Sequence, residues 1–488
     1  MSRRRVAYYF DSDVGAYTYG YGHSMKPHRI QMTHELVTSY GMLEKMHVLK
    51  PPRCSPQEMT AFHTDEYIHF LSRATPEITH EMNSQITQFL GYPDDNPPFE
   101  GVFEFCSISA GGSIAAARNI VSGASDICVN WAGGLHHAKK AEASGFCYVN
   151  DIVLCILELL RSYSRVTYFD IDCHHGVEEA FLSTERVLTC SFHKSGAFFP
   201  GTGLRSDQGK GKGKGYAVNV PLHTGLTDES FKSIFEPVAS KILEIFQPAV
   251  VVLQCGADSL SGDRLGCFNI SMEGHANCVK FFRDKNIPLI LLGGGGYTIK
   301  NVARTWTYET ACALGIEDTL GDFLPWHNHF ECFGPRYRLE VATHNADDEN
   351  LKDNYLDQLR ANVLEQISRL SCAPSVGLHD VPREDIGTHL GIVFDDDDMD
   401  IQDDLDRQLY EHARDVYNQI ATSGSEEEDS DGASTSYSRV SSQCGVPRHQ
   451  RMSIVTNEWH TLPSHNLVSS ITKRRFFPGT GMPWALGG

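Results

Sequence analysis

Three features that would place the chain in other protein classes are missing from its 488 residues. No stretch approaches the ~18 uninterrupted apolar residues of a transmembrane helix, which argues against a membrane protein. The amino-terminal segment is basic but has no long apolar run, so no secretory signal is predicted. No two of the 14 cysteines stand in a Cys-x-x-Cys pair. We therefore predict reduced, mostly buried thiols, no disulfide framework, no thiolate zinc site, and a cytosolic or nuclear location.

The acidic charge of the chain is concentrated near its carboxyl end. The net charge is −20, and residues 391–431 carry fifteen carboxylates against two arginines, which gives −13 in that stretch. An acidic excess argues against direct binding to nucleic acid, because that binding needs Lys and Arg to displace counterions. We predict a folded domain over residues 5–376. An acidic, serine-rich tail of low order is predicted to follow over residues 377–488.

Short apolar runs alternate with helical patterns along the predicted domain. The runs are Val6–Phe10, Ile127–Asn130, Val166–Phe169, Val187–Phe192, Ala217–Val220, Ala249–Gln254 and Pro288–Leu292. Helical patterns such as Val149–Leu160 and Phe231–Phe246 lie between several of them. Apolar runs separated by helices predict an α/β fold with a mainly parallel central sheet and helices on both faces.

Residues that bind metals or move protons come directly after four of these runs. In chain order they are His136 and His137, then Asp170, Asp172 and His174, then Asp258, and finally Tyr297. Ligands of open α/β sheets bind beyond the carboxyl ends of the strands. We therefore expect these side chains to meet at one edge of the sheet.

The sequence Asp170-Ile-Asp172-Cys-His174 is the first candidate for a metal site. In a strand, alternate residues lie on one face, so three polar groups would share a buried face. A satisfied hydrogen-bond network explains this triplet equally well until Asp258 is added. Asp172, His174 and Asp258 then supply one nitrogen and two carboxylates, which is typical of an open catalytic zinc site. Fe(II), Co(II) and Mn(II) also accept such ligands.

The adjacent His136 and His137 are candidates for acid and base catalysis, although single histidines are more often structural. One imidazole would exchange a proton with water and the leaving group, and Asp170 would fix a tautomer. Tyr297 comes after four glycines, which permit close backbone approach, and its phenol would donate to a developing oxyanion. A glycine-rich loop that happens to end in tyrosine is the alternative explanation.

Seven segments in order resemble the class I histone deacetylases of the arginase/deacetylase fold, and the resemblance covers Arg5 to Val376. The segments are Tyr19–Arg29, Glu104–Cys106, Asn130–Lys140, Gly145–Asp151, Phe199–Gly203, Gln254–Gly266 and Leu292–Tyr297. Residues Ala373–Pro382 look like the branch of the family that works with nuclear-receptor corepressors. The resemblance implies hydrolysis of N-ε-acetyl-lysine on histones and other proteins in transcriptional repression. It also implies location in the nucleus, with the cytoplasm as an alternative.

The resemblance also implies a role for each matching residue. Zinc would be bound by Asp172, His174 and Asp258. In the reaction, His137 would be general base and acid, His136 and Asp170 would form an electrostatic pair, and Tyr297 would polarise the acetyl carbonyl. The passage for the lysine side chain would be lined by Gly145, Phe146 and Phe199, and Asp95 would hold the substrate backbone. Structural potassium would lie near Asp170, Asp172, His174, Ser191 and Phe192. Acetylated histone tails and corepressor subunits would be the partners.

An inositol phosphate at the corepressor interface would contact Lys26, Arg264 and Lys300. The histidine usual in the family at this interface is replaced here by Thr18.

One departure from the family pattern bears on activity. The family normally has Asp-Gly after the glycine at 176, and that aspartate orients the residue matching His137. Here Val177 comes directly after Gly176. A gene-model error and a weakened enzyme that acts as a corepressor scaffold both explain the gap, and Glu178 is a candidate substitute. An acetylpolyamine amidohydrolase is a further alternative.

Overall fold

Eight parallel strands form the central sheet of the computed structural model. In chain order they are β1 (Val6–Tyr9), β2 (His47–Leu49), β3 (Ile127–Asn130), β4 (Val166–Asp170), β5 (Val187–Lys194), β6 (Ala217–Leu222), β7 (Val250–Gln254) and β8 (Leu289–Leu292). Their order across the sheet is β2-β1-β3-β8-β7-β4-β5-β6. The predicted mainly parallel sheet is confirmed, and every pairing between these strands is parallel.

Ten helices connect and cover these strands in the described part of the chain. They are α1 (His28–Ser39), α2 (Pro56–Met59), α3 (Asp65–Leu71), α4 (Asn83–Leu90), α5 (Val102–Val121), α6 (Asp151–Leu159), α7 (Asp228–Phe246), α8 (Met272–Asp284), α9 (Ile299–Leu314) and α10 (Tyr355–Ser368). Polar caps explain several starting points. Thr227 caps α7 and Ser271 caps α8, since each side chain accepts a hydrogen bond from the third following backbone N–H.

Side chains alternate along the central strands between two apolar cores. Leu253 and Leu291 pack in the core that includes α7 and α8, whereas Val252 and Ile290 pack in the core that includes α5 and α6. All four are completely buried. The near-continuous apolar runs are therefore explained by burial of both faces of the sheet.

The structure describes residues 4–77, 83–91, 94–371, 451–452 and 459–460. The chain divides into two units, residues 1–373 and 374–488. In the second unit the described residues form an antiparallel pair, Arg451–Met452 with Trp459–His460. The predicted low-order tail and the Ala373–Pro382 segment otherwise lie outside the described residues. The domain boundary at 376/377 stays a prediction.

The predicted state of the cysteines agrees with the described residues. Ten are buried, Cys267 is half-buried and Cys332 is exposed, and all twelve are free thiols. Over the same described ranges, no helix is both long enough and apolar enough to cross a membrane.

A buried histidine just before α3 couples stability to pH. His63 is 2% exposed; its Nε2 accepts the Asn150 N–H at 3.0 Å and its Nδ1 contacts the Lys140 carbonyl at 3.2 Å. Burial lowers the pKa of His63 to about 4 from 6.5. Because the folded pKa is depressed, the stabilisation is complete above pH 6.5 and is lost as pH falls towards 4.

We expect the free energy of unfolding to fall by about 3 kcal/mol through His63 alone between pH 7 and 4. Urea unfolding at both pH values measures this, with His63→Gln compared against His69→Gln at an exposed position. The His63 variant should lose less stability on acidification than the control. Equal losses in both variants would show that His63 is not the group responsible.

Candidate metal centre and active site

The four segments that carry the predicted site residues meet at one edge of the sheet. Their strands, β3, β8, β7 and β4, are consecutive in the sheet and parallel. Their carboxyl ends therefore lie side by side, although the segments are up to about 160 residues apart in sequence.

Asp172, His174 and Asp258 converge beyond these strand ends. His174 Nδ1 lies 3.2 Å from Asp172 Oδ1 and 3.0 Å from Asp258 Oδ2. Together with Cys173, they offer donor atoms within 4.8 Å of one another, and all four residues are buried. The predicted triad is thus a compact set of one nitrogen and two carboxylates.

The electrostatics of the triad fit a bound cation. Burial, reinforced by the Asp172 carboxylate, raises the pKa of Asp258 to about 6. Burial alone would lower the pKa of His174, but hydrogen bonds to the two carboxylates raise it to about 10. The two buried carboxylates thus favour a positive charge between them, which a divalent cation would supply when bound. Burial also raises the pKa of the Cys173 thiol, which makes it a poor ligand at neutral pH.

Two glycines leave room for the carboxylates. A Cβ added at Gly256 would lie 2.0 Å from Asp172 Oδ2, and one at Gly295 would lie 2.0 Å from Asp258 Oδ2. The absence of a side chain at these positions lets backbone approach the triad closely. Asp172 Oδ2 accepts the Gly295 N–H and the Gln254 side-chain N–H, each at 2.9 Å. These bonds fix the orientation of the carboxylate.

The prediction that the strand carries residues 170, 172 and 174 is wrong in part. β4 ends at Asp170, and the next residues are irregular. The N–H of Asp172 bonds to Asp170 Oδ1 at 3.1 Å, and the N–H of His174 bonds to Asp172 Oδ1 at 2.9 Å. These local bonds occupy backbone donors that a longer sheet would use.

His136 has the predicted carboxylate partner. Its Nδ1 lies 2.8 Å from Asp170 Oδ2, which also accepts the Tyr168 hydroxyl at 2.7 Å. Burial would lower the pKa of His136, but Asp170 and then Asp172 raise it to about 9. The ring is therefore held as a cation beside the triad.

His137 differs from its neighbour, because its ring has no hydrogen-bond partner in the described residues. It packs against the rings of His136 and Phe199, with centroids 3.9 and 5.0 Å away. Burial and the nearby His136 charge hold the pKa of His137 well below its ordinary range. The carboxylate of Glu178, the candidate substitute, instead bonds to His175 Nε2 at 3.0 Å and to Asn219.

Tyr297 ends the glycine-rich loop, and within the described ranges its hydroxyl has no hydrogen-bond partner. Its N–H bonds to Asp263 Oδ2 at 2.7 Å. The buried guanidinium of Arg29 donates to the carbonyls of Gly294 and Gly296, which fixes the loop. The phenol is thus rigidly placed and free to donate to a ligand.

Aromatic rings surround the approach to the triad. Phe199 packs on His137, and Phe146 packs on Tyr297 with centroids 5.7 Å apart. Gly145 lies against the rings of His137 and Phe199, and a Cβ added there would be 2.7 Å from the Phe199 ring. Asp95 is exposed nearby, and its carbonyl contacts the ring of His23, which packs on Phe146.

The sequence profile described as "Histone deacetylase domain" matches residues 23–313. The chain belongs to the class I histone deacetylases. It is 54% identical over 387 residues to human histone deacetylase 1, covering 79% of this chain and 80% of the relative. Histone deacetylase HDAC1 of Drosophila melanogaster is 52% identical over 405 residues, which cover 83% of this chain and 76% of the relative. Type-1 histone deacetylase 1 of Dictyostelium discoideum is 49% identical over 433 residues, which cover 88% of this chain and 85% of the relative.

These relatives favour neither the scaffold nor the acetylpolyamine alternative for this class I deacetylase. The other predicted binding residues do not belong to the ligand cluster. Ser191 pairs with Asp170 between β5 and β4, and Phe192 is buried next to it. Lys26 and Arg264 are exposed and Lys300 is half-buried. The potassium and inositol-phosphate assignments stay predictions.

Three positioning residues were not predicted from the sequence. Besides Arg29 and Gln254, buried Asp151 accepts the N–H of Gly134 at 2.9 Å and that of Leu135 at 2.8 Å, directly before the histidine pair. All three lie inside the segments that resemble the family. A polar residue within an otherwise apolar buried segment was the available signal.

Proposed function

We propose that this chain hydrolyses N-ε-acetyl-lysine on histones and other proteins, giving lysine and acetate. Family membership supports the reaction class. The observation that carries the proposal is the convergence of Asp172, His174 and Asp258 beside the histidine pair and Tyr297. A metal-dependent amide hydrolase needs a site for an electrophile-activating cation, a proton carrier and an oxyanion donor, and the residues for all three lie together here.

Asp172, His174 and Asp258 would hold the cation, for which we propose zinc, with Fe(II) as the alternative. When bound, it would supply a Lewis acid that polarises the acetyl carbonyl and lowers the pKa of a water molecule. The remaining ligand positions would be open to water and substrate, since the chain contributes three ligands.

His137 is assigned as the general base that takes a proton from water and returns it to the lysine nitrogen. The ring packs against His174 of the triad, and its lowered pKa leaves it neutral before the reaction, as a general base must be. His136, held as a cation by Asp170, stabilises negative charge that develops during the attack. Tyr297 donates its hydroxyl to the acetyl oxygen, which carries that charge.

The substrate side chain would reach the triad between Phe146 and Phe199. Apolar rings suit the four methylenes of acetyl-lysine, and the missing side chain at Gly145 leaves room for the His137 and Phe199 rings beside the passage. Asp95, exposed at the entrance, would accept hydrogen bonds from the peptide backbone. A peptide presents backbone N–H groups at a fixed spacing, whereas a polyamine offers only ammonium groups on a flexible chain, so we propose that Asp95 positions peptide substrates better.

Further features are proposed mainly from family membership. They comprise structural potassium near Asp170, Asp172, His174, Ser191 and Phe192, and an inositol phosphate on Lys26, Arg264 and Lys300. We also propose that corepressor subunits are the partners and that the protein acts in the nucleus. Lys26 lies just before α1 and Lys300 lies in the first turn of α9; these helices pack together, which supports a shared cation surface.

Turnover of an acetylated histone-tail peptide tests the function. We expect release of acetate and inhibition by a hydroxamate. We also expect kcat/KM to be at least about tenfold higher for the peptide than for an acetylpolyamine, because a hydrogen bond between Asp95 and the peptide backbone is worth about 1–2 kcal/mol. Asp95→Asn should narrow this preference, with exposed Asp94→Asn as the matched control. Equal turnover of both substrates would favour the polyamine alternative, and no turnover of either would favour the scaffold.

A further inference from the structure

A cleft of about 850 Å³ opens beside the histidine pair. Its lining includes His136, His137, His175, Glu178, Lys140 and Lys210. The triad, Phe146 and Tyr297 are not among its lining residues. The cleft is therefore distinct from the passage proposed for acetyl-lysine, although His137 borders both.

The two histidines of the pair meet different surroundings at this cleft. His136 Nδ1 has the Asp170 carboxylate at 2.8 Å. His137 has no corresponding acceptor in the described part of the chain. Glu178 does not fill this role, because its carboxylate is engaged by His175 and Asn219. A half-buried imidazole thus faces an open volume without an anchor for its N–H.

The backbone at Gly176 and Val177 explains the open volume. Val177 adopts φ 70°, a left-handed conformation that is costly for a β-branched residue. Its N–H bonds to the His136 carbonyl at 3.1 Å. The chain therefore turns sharply away where the family pattern has two further residues, one of them a carboxylate.

Two exposed lysines of the cleft can attract an anion. Lys140 and Lys210 are exposed and have no ion pair with a described carboxylate. Among the acidic residues of the lining, Glu178 bonds to His175 and Asn219, and Asp207 accepts the Leu204 N–H at 3.1 Å. Glu179 remains as an exposed opposing charge.

We propose that a small carboxylate anion, such as the acetate that the reaction releases, binds in this cleft and accepts a hydrogen bond from His137. The anion does for His137 what Asp170 does for His136. It fixes the tautomer and orientation of the ring, so that the other nitrogen faces the water and the lysine nitrogen. The activation rests on the proposed function; the binding does not.

Initial rates of peptide deacetylation in sodium acetate or formate test the activation, with sodium chloride at equal ionic strength as reference. We expect a saturable rise of about tenfold, the lower end of the effect of an orienting carboxylate. A variant with Asp-Gly inserted after Gly176 should be about 10- to 100-fold faster without added anion and should not respond to it. Equal responses in both proteins would overturn the proposal.

Saturation-transfer NMR with ¹³C-acetate measures binding independently of turnover. The doubly substituted Lys140→Gln, Lys210→Gln protein should bind acetate several-fold more weakly than wild type, with Lys232→Gln on α7 as the control. Absence of binding to the wild type overturns the proposal even if the peptide is turned over. If no form turns over the peptide, the proposed function fails, and this binding measurement still decides for or against the anion site.

Discussion

Replacement of Asp258 by alanine is expected to abolish deacetylation and to remove the bound divalent cation. Asp258 Oδ2 lies 3.0 Å from His174 Nδ1 and is one of only two carboxylates that the triad offers among the described residues. One nitrogen and one carboxylate hold a catalytic metal poorly, since such sites normally have three protein ligands. Metal content by mass spectrometry and peptide turnover, measured on the same preparation, check both expectations.

The fold should survive this change. The Asp258 carboxylate is completely buried and repels that of Asp172, so the repulsion relieved by its removal offsets the loss of its hydrogen bonds to the Cys173 N–H and to His174. Cys173→Ala is the matched control, because its thiol belongs to the same cluster but stays protonated. We expect the control to retain metal and turnover. An Asp258→Ala protein with one equivalent of metal would contradict the ligand assignment.

Replacement of His137 by alanine is expected to lower kcat/KM by about 10²–10⁴-fold while metal content stays unchanged. The ring contacts the triad through His174, with centroids 5.8 Å apart, but donates no ligand atom to the cluster. A lost proton carrier therefore slows the chemistry without releasing the cation. Steady-state kinetics together with metal analysis separate the two effects.

His69→Ala, at an exposed position in α3, is the control for loss of an imidazole. It should change neither quantity. If His137→Ala lowers kcat/KM less than tenfold and His136→Ala lowers it more, then His136, and not His137, transfers the proton. Loss of metal in His137→Ala would show that His137 is needed to hold the triad in its metal-binding arrangement.

The sequence predicts most of the sheet because burial leaves a direct signature. Seven strands coincide with apolar runs, since central strands such as β7 and β8 are buried on both faces. β2 is missed because its three residues are exposed and lie at the sheet edge. Val48 and Leu49 are too short an apolar run to mark a strand, and only the pairing with β1 defines it.

The candidate site is predicted from the residue types at the carboxyl end of each strand, but its internal geometry is not. Those residue types identify Asp172, His174 and Asp258, because parallel strands place their carboxyl ends together. Sequence cannot give the order β3-β8-β7-β4, which depends on packing of distant segments. It also cannot reveal that Glu178 bonds to His175, since that choice depends on where the shortened loop turns.

The ligand assignment is tested most directly by a crystal structure of the metal-loaded protein, with anomalous diffraction measured on both sides of the zinc absorption edge. We predict one anomalous peak about 2.0–2.2 Å from His174 Nδ1 and from an oxygen of Asp172 and of Asp258. A fully loaded, active protein whose only peak lies elsewhere, or is bound by cysteine sulfur, would contradict it.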